Sequence, residues 1–541
     1  MRPTTRSSRG RPGGEIRYYR TECRSYAPLF ALAAAATLAL AAANVAVARG
    51  LFAGAAAPTA RAPEGTEARH ASPLRSHNAR PTTRARAHAV APAGQKPKPV
   101  VGAINPKVPG LTTFRGNLTR SYYGEGPVPR RSPRILWRYP RRGGMCSRSA
   151  DESGTTTWCG VGWTGQPNVI PRKNGAAELR FGAYDRGYHF LDAKTGTPVR
   201  KTLMTGDLAK GSATSDPDGY PLYYAGSRDD RLRVVALDRG RPKVLWQLDA
   251  NTSVSKVVWN NDWDGAPLIV GDHLLEGGEN SWFYVVKLNR GYDRHGKVRV
   301  RPKVVLRVPS WDGRLLAATG ARAFSIENSV AFHRGVAYFA NSAGLVQGWD
   351  LRRVLKGGTT AKRVFRFWTG DDTDASVVVD ADGFLYVASE LERFDGRSKE
   401  VGQLMKLDPR RPNRPLVWSV PLPAAGAGGK GGSWSTPALD RGMVYVATNA
   451  GGVVGVDRRT GKMRWTIPLP GPTWGSPVVV DGVLLEGDCK GALHAFDVSR
   501  QGRRPRELWS IRLGGCIEST PAVWKGRVYV GTRGGAMYAL G

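Results

Sequence analysis

The sequence predicts an all-β protein, an eight-bladed propeller of four-stranded sheets, and three observations carry that expectation. Short runs of alternating polarity, such as "GMVYVAT" and "GRVYVGT", dominate where amphipathic helices would show a 3.6-residue period. The 67 Gly, 37 Pro, 16 Trp and 18 Tyr among 541 residues favour strands and tight turns. A strand-rich unit also recurs along the chain, and such self-similarity fixes an architecture before any motif does.

Along the chain, a basic tail comes first. Seven Arg from Arg2 to Arg24 precede an uncharged run over 25–48, "SYAPLFALAAAATLALAAANVAVA". The run matches a membrane span of about 20 residues, with the Arg cluster (and Cys23) held in the cytoplasm. Ala46-Val47-Ala48 also fits a signal-peptide cleavage site, but the long basic region and long apolar run favour an uncleaved anchor. Either reading places the bulk of the chain outside the cytoplasm. Residues 49–110 are rich in Pro, Ala and Arg without periodicity, as in "HNARPTTRARAHAVAPAGQKPKPV". They have too little apolar surface to bury, and read as a disordered, extended tether.

The head, 111–541, is where the unit repeats. "NSVAFHRGVAYFAN" (328–341), "ASVVVDADGFLYVAS" (375–389), "STPALDRGMVYVAT" (435–448), "SPVVVDGVLLEGD" (476–488) and "STPAVWKGRVYVGT" (519–532) superpose as strand, hairpin turn, strand. A third strand follows in "LVQGWD", "QLMKLD", "GVVGVD" and "ALHAFD", and a fourth ends at or near Trp368, Trp418, Trp465 and Trp509. Four strands every 44 to 60 residues or so describe propeller blades. Looser copies precede them, in 178–196, 221–246 and 267–289. The last copy stops at "MYALG" with three strands, and "RILWRY" (134–139) has the form of its missing outer strand. That closure makes the ring eight-bladed.

One stretch of the sixth copy, "GVDRRTGKMRW" (455–465), resembles the tryptophan-docking repeat of the quinoprotein-like (pyrroloquinoline quinone repeat) β-propellers of the bacterial envelope. Gly455 stands where Ala is usual. "FRGNLTRSYYGEGPV" (114–128) is similar to the lead-in of bacterial members, so the resemblance spans 114–541. It implies a WD40-like ring in which the Trp lies flat on a neighbouring blade and the Asp and Thr-Gly shape a tight turn. On this reading the turn is a structural rivet.

Charge narrows the partners. Residues 1–110 hold 17 Lys and Arg against 4 acidic residues, which leaves the head at +23 of the total +36. Such a surface favours anionic partners: phospholipid headgroups or acidic wall polymers. Nucleic acid is disfavoured, because no aromatic RNA-binding strand, zinc spacing or basic helix accompanies the charge. "GAGGKGG" (426–432) contains GxGxxG, but a strand follows it, so it fails as a dinucleotide loop.

Zigzag strands put the second-to-third-strand turns and the inter-blade connections on one face of a propeller. That face receives Asn260, Asn261, Asp262 and Asp264, then Glu279 and Asn280, then Glu327 and Asn328, and finally Asp371, Asp372 and Asp374. Converging carboxylate and amide oxygens suit Ca²⁺, although Asp, Asn and Gly also simply make turns. The candidate metal set is therefore Asp262, Glu327, Asn328, Asp371, Asp372 and Asp374. Asn260, Asn261, Trp434 and Trp474 are the candidates for holding a planar cofactor. The resemblance implies pyrroloquinoline quinone with Ca²⁺, yet the adjacent Cys-Cys pair usual in alcohol-oxidising members is absent. No GxSxG nucleophile elbow or His metal spacing is present.

Cys146 with Cys159, and Cys489 with Cys516, are expected to pair in an oxidising compartment. The function expected is a membrane-anchored, extracytoplasmic, monomeric propeller head serving as a binding or assembly scaffold for an envelope protein or wall polymer. A quinone- and calcium-dependent dehydrogenase of an alcohol or sugar is the alternative.

Overall fold

The computed structural model describes residues 107–541 apart from 152–153, 164, 173, 255–260, 321–322, 394–395 and 425–430. The apolar run 25–48 and most of the tether lie outside the described residues. Among the described residues no helix is long and apolar enough to cross a membrane.

Seven four-stranded antiparallel sheets follow one another in chain order, and an eighth joins the two ends of the head. The sixth blade shows why the sequence folds this way. Its inner strands Ala438–Asp440 and Met443–Ala447 are apolar on both sides because each side packs on a neighbouring blade. The third strand, Gly452–Asp457, is buried almost throughout, whereas the outer strand, Met463–Pro468, alternates between buried and open positions. The core accordingly lies between blades. Leu404 and Trp418 of the fifth blade, for example, share one cluster with Val444, Val446 and Val454 of the sixth.

The tryptophan turns act as rivets. Trp418, at the outer edge of the fifth blade, donates its indole N–H to the Arg458 carbonyl at 3.1 Å. Its ring lies over Gly461, where a Cβ would sit 2.7 Å from the ring and where φ is +73°. Only glycine meets both conditions without strain. Trp137 repeats the arrangement between the eighth and first blades, with its indole on the Ala193 carbonyl and its ring over Gly196. Gly455 in turn is fixed by Trp465 of its own blade, whose ring lies 2.2 Å from any added Cβ.

Ring closure follows the expected route. Ile135–Tyr139 pairs antiparallel with Ala536–Leu540 as the outer strand of the eighth blade. Unforeseen is a second N-terminal strand, Gly124–Glu125, that pairs parallel with the inner strand Ala522–Trp524. Between the tether and that strand, residues 111–123 run through the hub. Leu111 bridges Val169 of the first blade, and the Thr112 carbonyl accepts from Ser215 N of the second. The carbonyls of Leu118 and Thr119 accept from Phe332 N and Val379 N of the fourth and fifth, and the Tyr123 hydroxyl accepts from Leu439 N of the sixth. The hub is thus filled by the chain's own lead-in.

Both expected disulfides are present. Cys146–Cys159 staples a hairpin of Cys146–Asp151 and Gly154–Cys159, which the repeat pattern did not reveal. Cys489–Cys516 ties the second-to-third-strand turn of the seventh blade to the connection entering the eighth.

Candidate functional site

The face that carries the inter-blade connections gathers an acidic funnel above the filled hub. Asp262 and Asp264 arrive on the connection into the third blade, and Glu279 on that blade's second-to-third-strand turn. Glu327 precedes the fourth blade, and Asp372 and Asp374 precede the fifth. Glu390 comes from the short strand Glu390–Leu391, which pairs with Gly431–Gly432.

Two triads form among the described residues. In each, one carboxylate oxygen per residue lies within 4.8 Å of the others: Asp262, Asp264 and Glu279 in the first, Asp372, Asp374 and Glu390 in the second. The first already contains a cation. Lys210 Nζ contacts Asp264 Oδ2 and lies 3.6 Å from Glu279 Oε1. Burial opposes the charge on this ammonium, but Asp264 and then Glu279 hold its pKa well above the usual lysine value. Arg228 Nε donates to Asp262 Oδ2 at 2.8 Å.

The second triad is less compensated. Arg393 Nη2 lies 3.6 Å from Asp372 Oδ2. Oδ1 of Asp372 and Oδ1 of Asp374 are buried without a hydrogen-bond partner. Burial, reinforced by neighbouring carboxylates, raises Asp372, Asp374 and Glu390 well above the usual carboxyl range. Burial also raises Glu279 well above that range and Asp262 to about 7, in both cases against the pull of Lys210. Glu327 is raised by burial while Ser325 donates to its Oε1 at 2.7 Å. Such a cluster either holds protons at neutral pH or takes a cation.

The expected site residues separate into two groups. Asp262, Glu327, Asp372 and Asp374 do share this funnel, coupled electrostatically through Lys210, Asp264 and one another. Asn328 instead clips the fourth blade to the next connection, donating to the Ala340 and Thr373 carbonyls at 2.9 and 3.0 Å. Asp371 caps a loop by accepting from the backbone N–H groups of Asp372, Glu392 and Arg393. Asn280 is held by Ala250 and Tyr284. Asn261 donates to Asn251, and Asn260 lies outside the described residues.

Trp434 and Trp474 lie against each other, ring centroids 5.0 Å apart and planes at 39°, so they form a tilted pair and not a flat floor. Trp434 lies beside the Glu390 side chain and favours its charged form, against the larger effect of burial. Lys210 and Glu390 escaped sequence reasoning. Sorting cations as well as acids by face would have found Lys210, in the connection between the first two blades. Glu390 belongs to an insertion inside the fifth blade that blurs the repeat.

Comparison with known proteins adds the following. A family model described as outer membrane protein assembly factor BamB matches residues 401–505. The outer membrane protein assembly factor BamB of Nitrosomonas eutropha is 29% identical over 153 residues, covering 28% of this chain and 34% of that protein. The chain thus spans about a third of the length of this curated relative. Among solved structures, a europium-containing methanol dehydrogenase superposes with a TM-score of 0.52 at 13% identity, over 80% of this chain and 98% of that one. The quinohemoprotein alcohol dehydrogenase of Comamonas testosteroni gives 0.51 at 14% identity, over 80% of each chain. At these identities the structural likeness speaks for the fold alone. The chain resembles the pyrroloquinoline quinone repeat propellers in sequence and in architecture.

Proposed function

We propose, starting from that resemblance, that this chain is an extracytoplasmic scaffold of the cell envelope, tethered to the membrane by 25–48 and binding an envelope protein through its propeller. One observation carries the reading against an enzyme. In the first triad, the place a cation would take is held by the chain's own Lys210 ammonium, between Asp264 and Glu279. The filled hub beneath the funnel and the tilted Trp434–Trp474 pair add support, since a planar quinone needs an open slot. The two disulfides suit an oxidising compartment. The stretch that matches the assembly-factor model, 401–505, covers the sixth blade and parts of its neighbours.

The dehydrogenase reading keeps one supporting observation, the unpartnered oxygens of Asp372 and Asp374. With Glu390 they would hold a hard cation through oxygen ligands, where it could polarise a bound carbonyl. The test is direct. The full chain is incubated with pyrroloquinoline quinone and Ca²⁺, and absorbance and dye reduction are followed with alcohols and sugars. A scaffold gives no quinone-dependent dye reduction; sustained turnover replaces this reading with the dehydrogenase. The anchor is tested separately: detergent, but neither high salt nor alkaline carbonate, should extract the chain from membranes.

A further inference from the structure

The funnel face gathers its carboxyls at the centre, with exposed Arg393, Lys399 and Lys490 in the turns and connections around them. Opposite the acidic funnel lie the turns between third and fourth strands; the turn of the second blade carries one exposed Lys or Arg, Arg241, and in the other six of the seven complete blades each carries at least two among its described residues. The linker into the closing strand does the same with Arg131 and Arg134. Lys297, Lys356, Arg411, Arg459, Arg503 and Arg504 are examples from successive blades around this ring. In the first, fourth, sixth and seventh blades the third strand ends at an Asp that accepts from backbone N–H groups of its own turn, as Asp457 does from Arg459 and Thr460. The cations therefore dominate what this face presents.

Two independent features say what the face meets. Among the described residues seven large apolar side chains are exposed, and five of them, on four different blades, lie toward this face: Ile135, Leu136, Val364 and Leu416 near the starts of outer strands, and Tyr292 in a turn. Apolar side chains set among cations are what enters the boundary between headgroups and acyl chains. The tether also joins the head on this side. Lys107 lies 3.6 Å from Asp218, in the first-to-second-strand turn of the second blade, and shares a cleft with Tyr220, Asp272 and Arg290. The chain that precedes it in sequence includes the 25–48 run.

We infer that this basic face docks flat on an anionic phospholipid surface, leaving the acidic funnel pointing away from the membrane toward a protein partner. The inference rests on the anchored, extracytoplasmic reading above and adds an orientation to it. A ring of cations around a disc matches the planar array of phosphates in a bilayer, whereas a single polymer strand would contact only part of it. Attraction of this kind grows with each cation brought within a Debye length of the surface and fades with salt.

The experiment uses the full chain with a protease site inserted in the tether, reconstituted in vesicles of phosphatidylcholine alone or of phosphatidylcholine with phosphatidylglycerol. Association of the uncut chain with neutral vesicles reports the anchor by itself. After cutting, the head should stay with the phosphatidylglycerol vesicles at low salt, leave them at high salt, and leave the neutral vesicles at any salt. Arg411→Glu, Arg503→Glu and Arg504→Glu together should release it from anionic vesicles at least tenfold more readily, while Asp262→Asn on the other face should not. Equal release from both vesicle types overturns the inference even if the anchor holds. Release from anionic vesicles combined with tight binding to soluble polyphosphate overturns it in favour of a polymer partner.

Discussion

Arg115 Nη2 donates to the carbonyl oxygen of Thr436 at 2.6 Å, joining the lead-in to the sixth blade from within the hub. Its counterpart Arg120 donates to the carbonyls of Val330 and Ala266, so the two guanidiniums reach the third, fourth and sixth blades. Both side chains are fully buried, both residues have positive φ, and each faces a buried carboxyl on a second strand: Glu486 for Arg115, Glu276 for Arg120. Burial lowers Arg120 to about 9, which still leaves it charged at neutral pH.

Removing such a group strands its partners. Arg120→Leu leaves the buried carbonyls of Val330, Ala266 and Phe114 without their donor, and should cost about 3 to 5 kcal/mol in urea denaturation. Arg120→Leu combined with Glu276→Leu should recover part of that loss, because the buried Glu276 carboxyl, raised by burial and without a hydrogen-bond partner, is then removed as well. A single variant as stable as the parent would show that the lead-in is a passive filler.

The rivets predict a graded pair of effects. Trp418→Ala removes a buried ring and its bond to Arg458, and should cost about 3 to 5 kcal/mol. Gly461→Ala adds one Cβ against that ring at positive φ, and should cost about 1 to 3 kcal/mol. The order matters more than the values. Equal melting temperatures for Gly461→Ala and the parent would mean that the ring moves aside freely.

The disulfides close loops with sequence separations of 13 and 27 residues. Replacing both cysteines of either pair by Ser should lower stability by about 3 to 4 kcal/mol, the shorter loop losing less. Peptide mapping without reductant should recover Cys489 joined to Cys516, and free thiols there would reject the bridge.

Much of this architecture was legible in the chain, because a propeller repeats its instructions. The Asp, Thr-Gly and Trp of 455–465 encode one turn and one ring contact, and the short final copy announced its missing strand at 135–139. The hub was not legible. Residues 111–123 have no repeat partner, and Arg115 and Arg120 look like surface cations until three blades supply their acceptors. The funnel was half legible. Face sorting found the acids, since turn position follows from strand order. It could not tell Asp372, aimed into the funnel, from Asp371, spent on backbone N–H groups one residue away. That distinction depends on side-chain direction within a loop, which no periodicity encodes.

Stability should depend on pH in a direction set by the buried acids. Asp262 is raised from 3.8 to about 7, so between those values the folded head keeps a proton that the unfolded chain releases. Stability therefore falls as pH rises through that window. Glu178 works oppositely. Burial pushes it up, but Arg180 and Arg200 draw it from 4.5 down to about 2, so its contribution is lost as pH falls below the usual carboxylate value. A maximum at about pH 4, between the unfolded values of the two groups, follows from the two arms. Denaturation midpoints should drop between about pH 5 and about pH 8, and Asp262→Asn should shrink the drop. A steady rise over that range would contradict the burial argument.

The same carboxyls decide what calcium does. Lys210 serves the first triad, so a divalent cation meets strong repulsion there, while Asp372, Asp374 and Glu390 offer three oxygens and two unsatisfied lone-pair sets. Calcium at the second triad displaces protons, so its effect should be larger at about pH 8 than at about pH 5. Binding to the folded state alone stabilises by mass action, about 2.7 kcal/mol at a hundredfold excess over Kd. The melting temperature should rise with calcium concentration, and Asp374→Asn with Glu390→Gln should abolish the rise without unfolding the head. Lys210→Met should enlarge it by opening the first triad. If calcium shifts melting no more than NaCl of equal ionic strength, the second triad is held together by protons, and the funnel offers a partner hydrogen bonds in place of a bound ion.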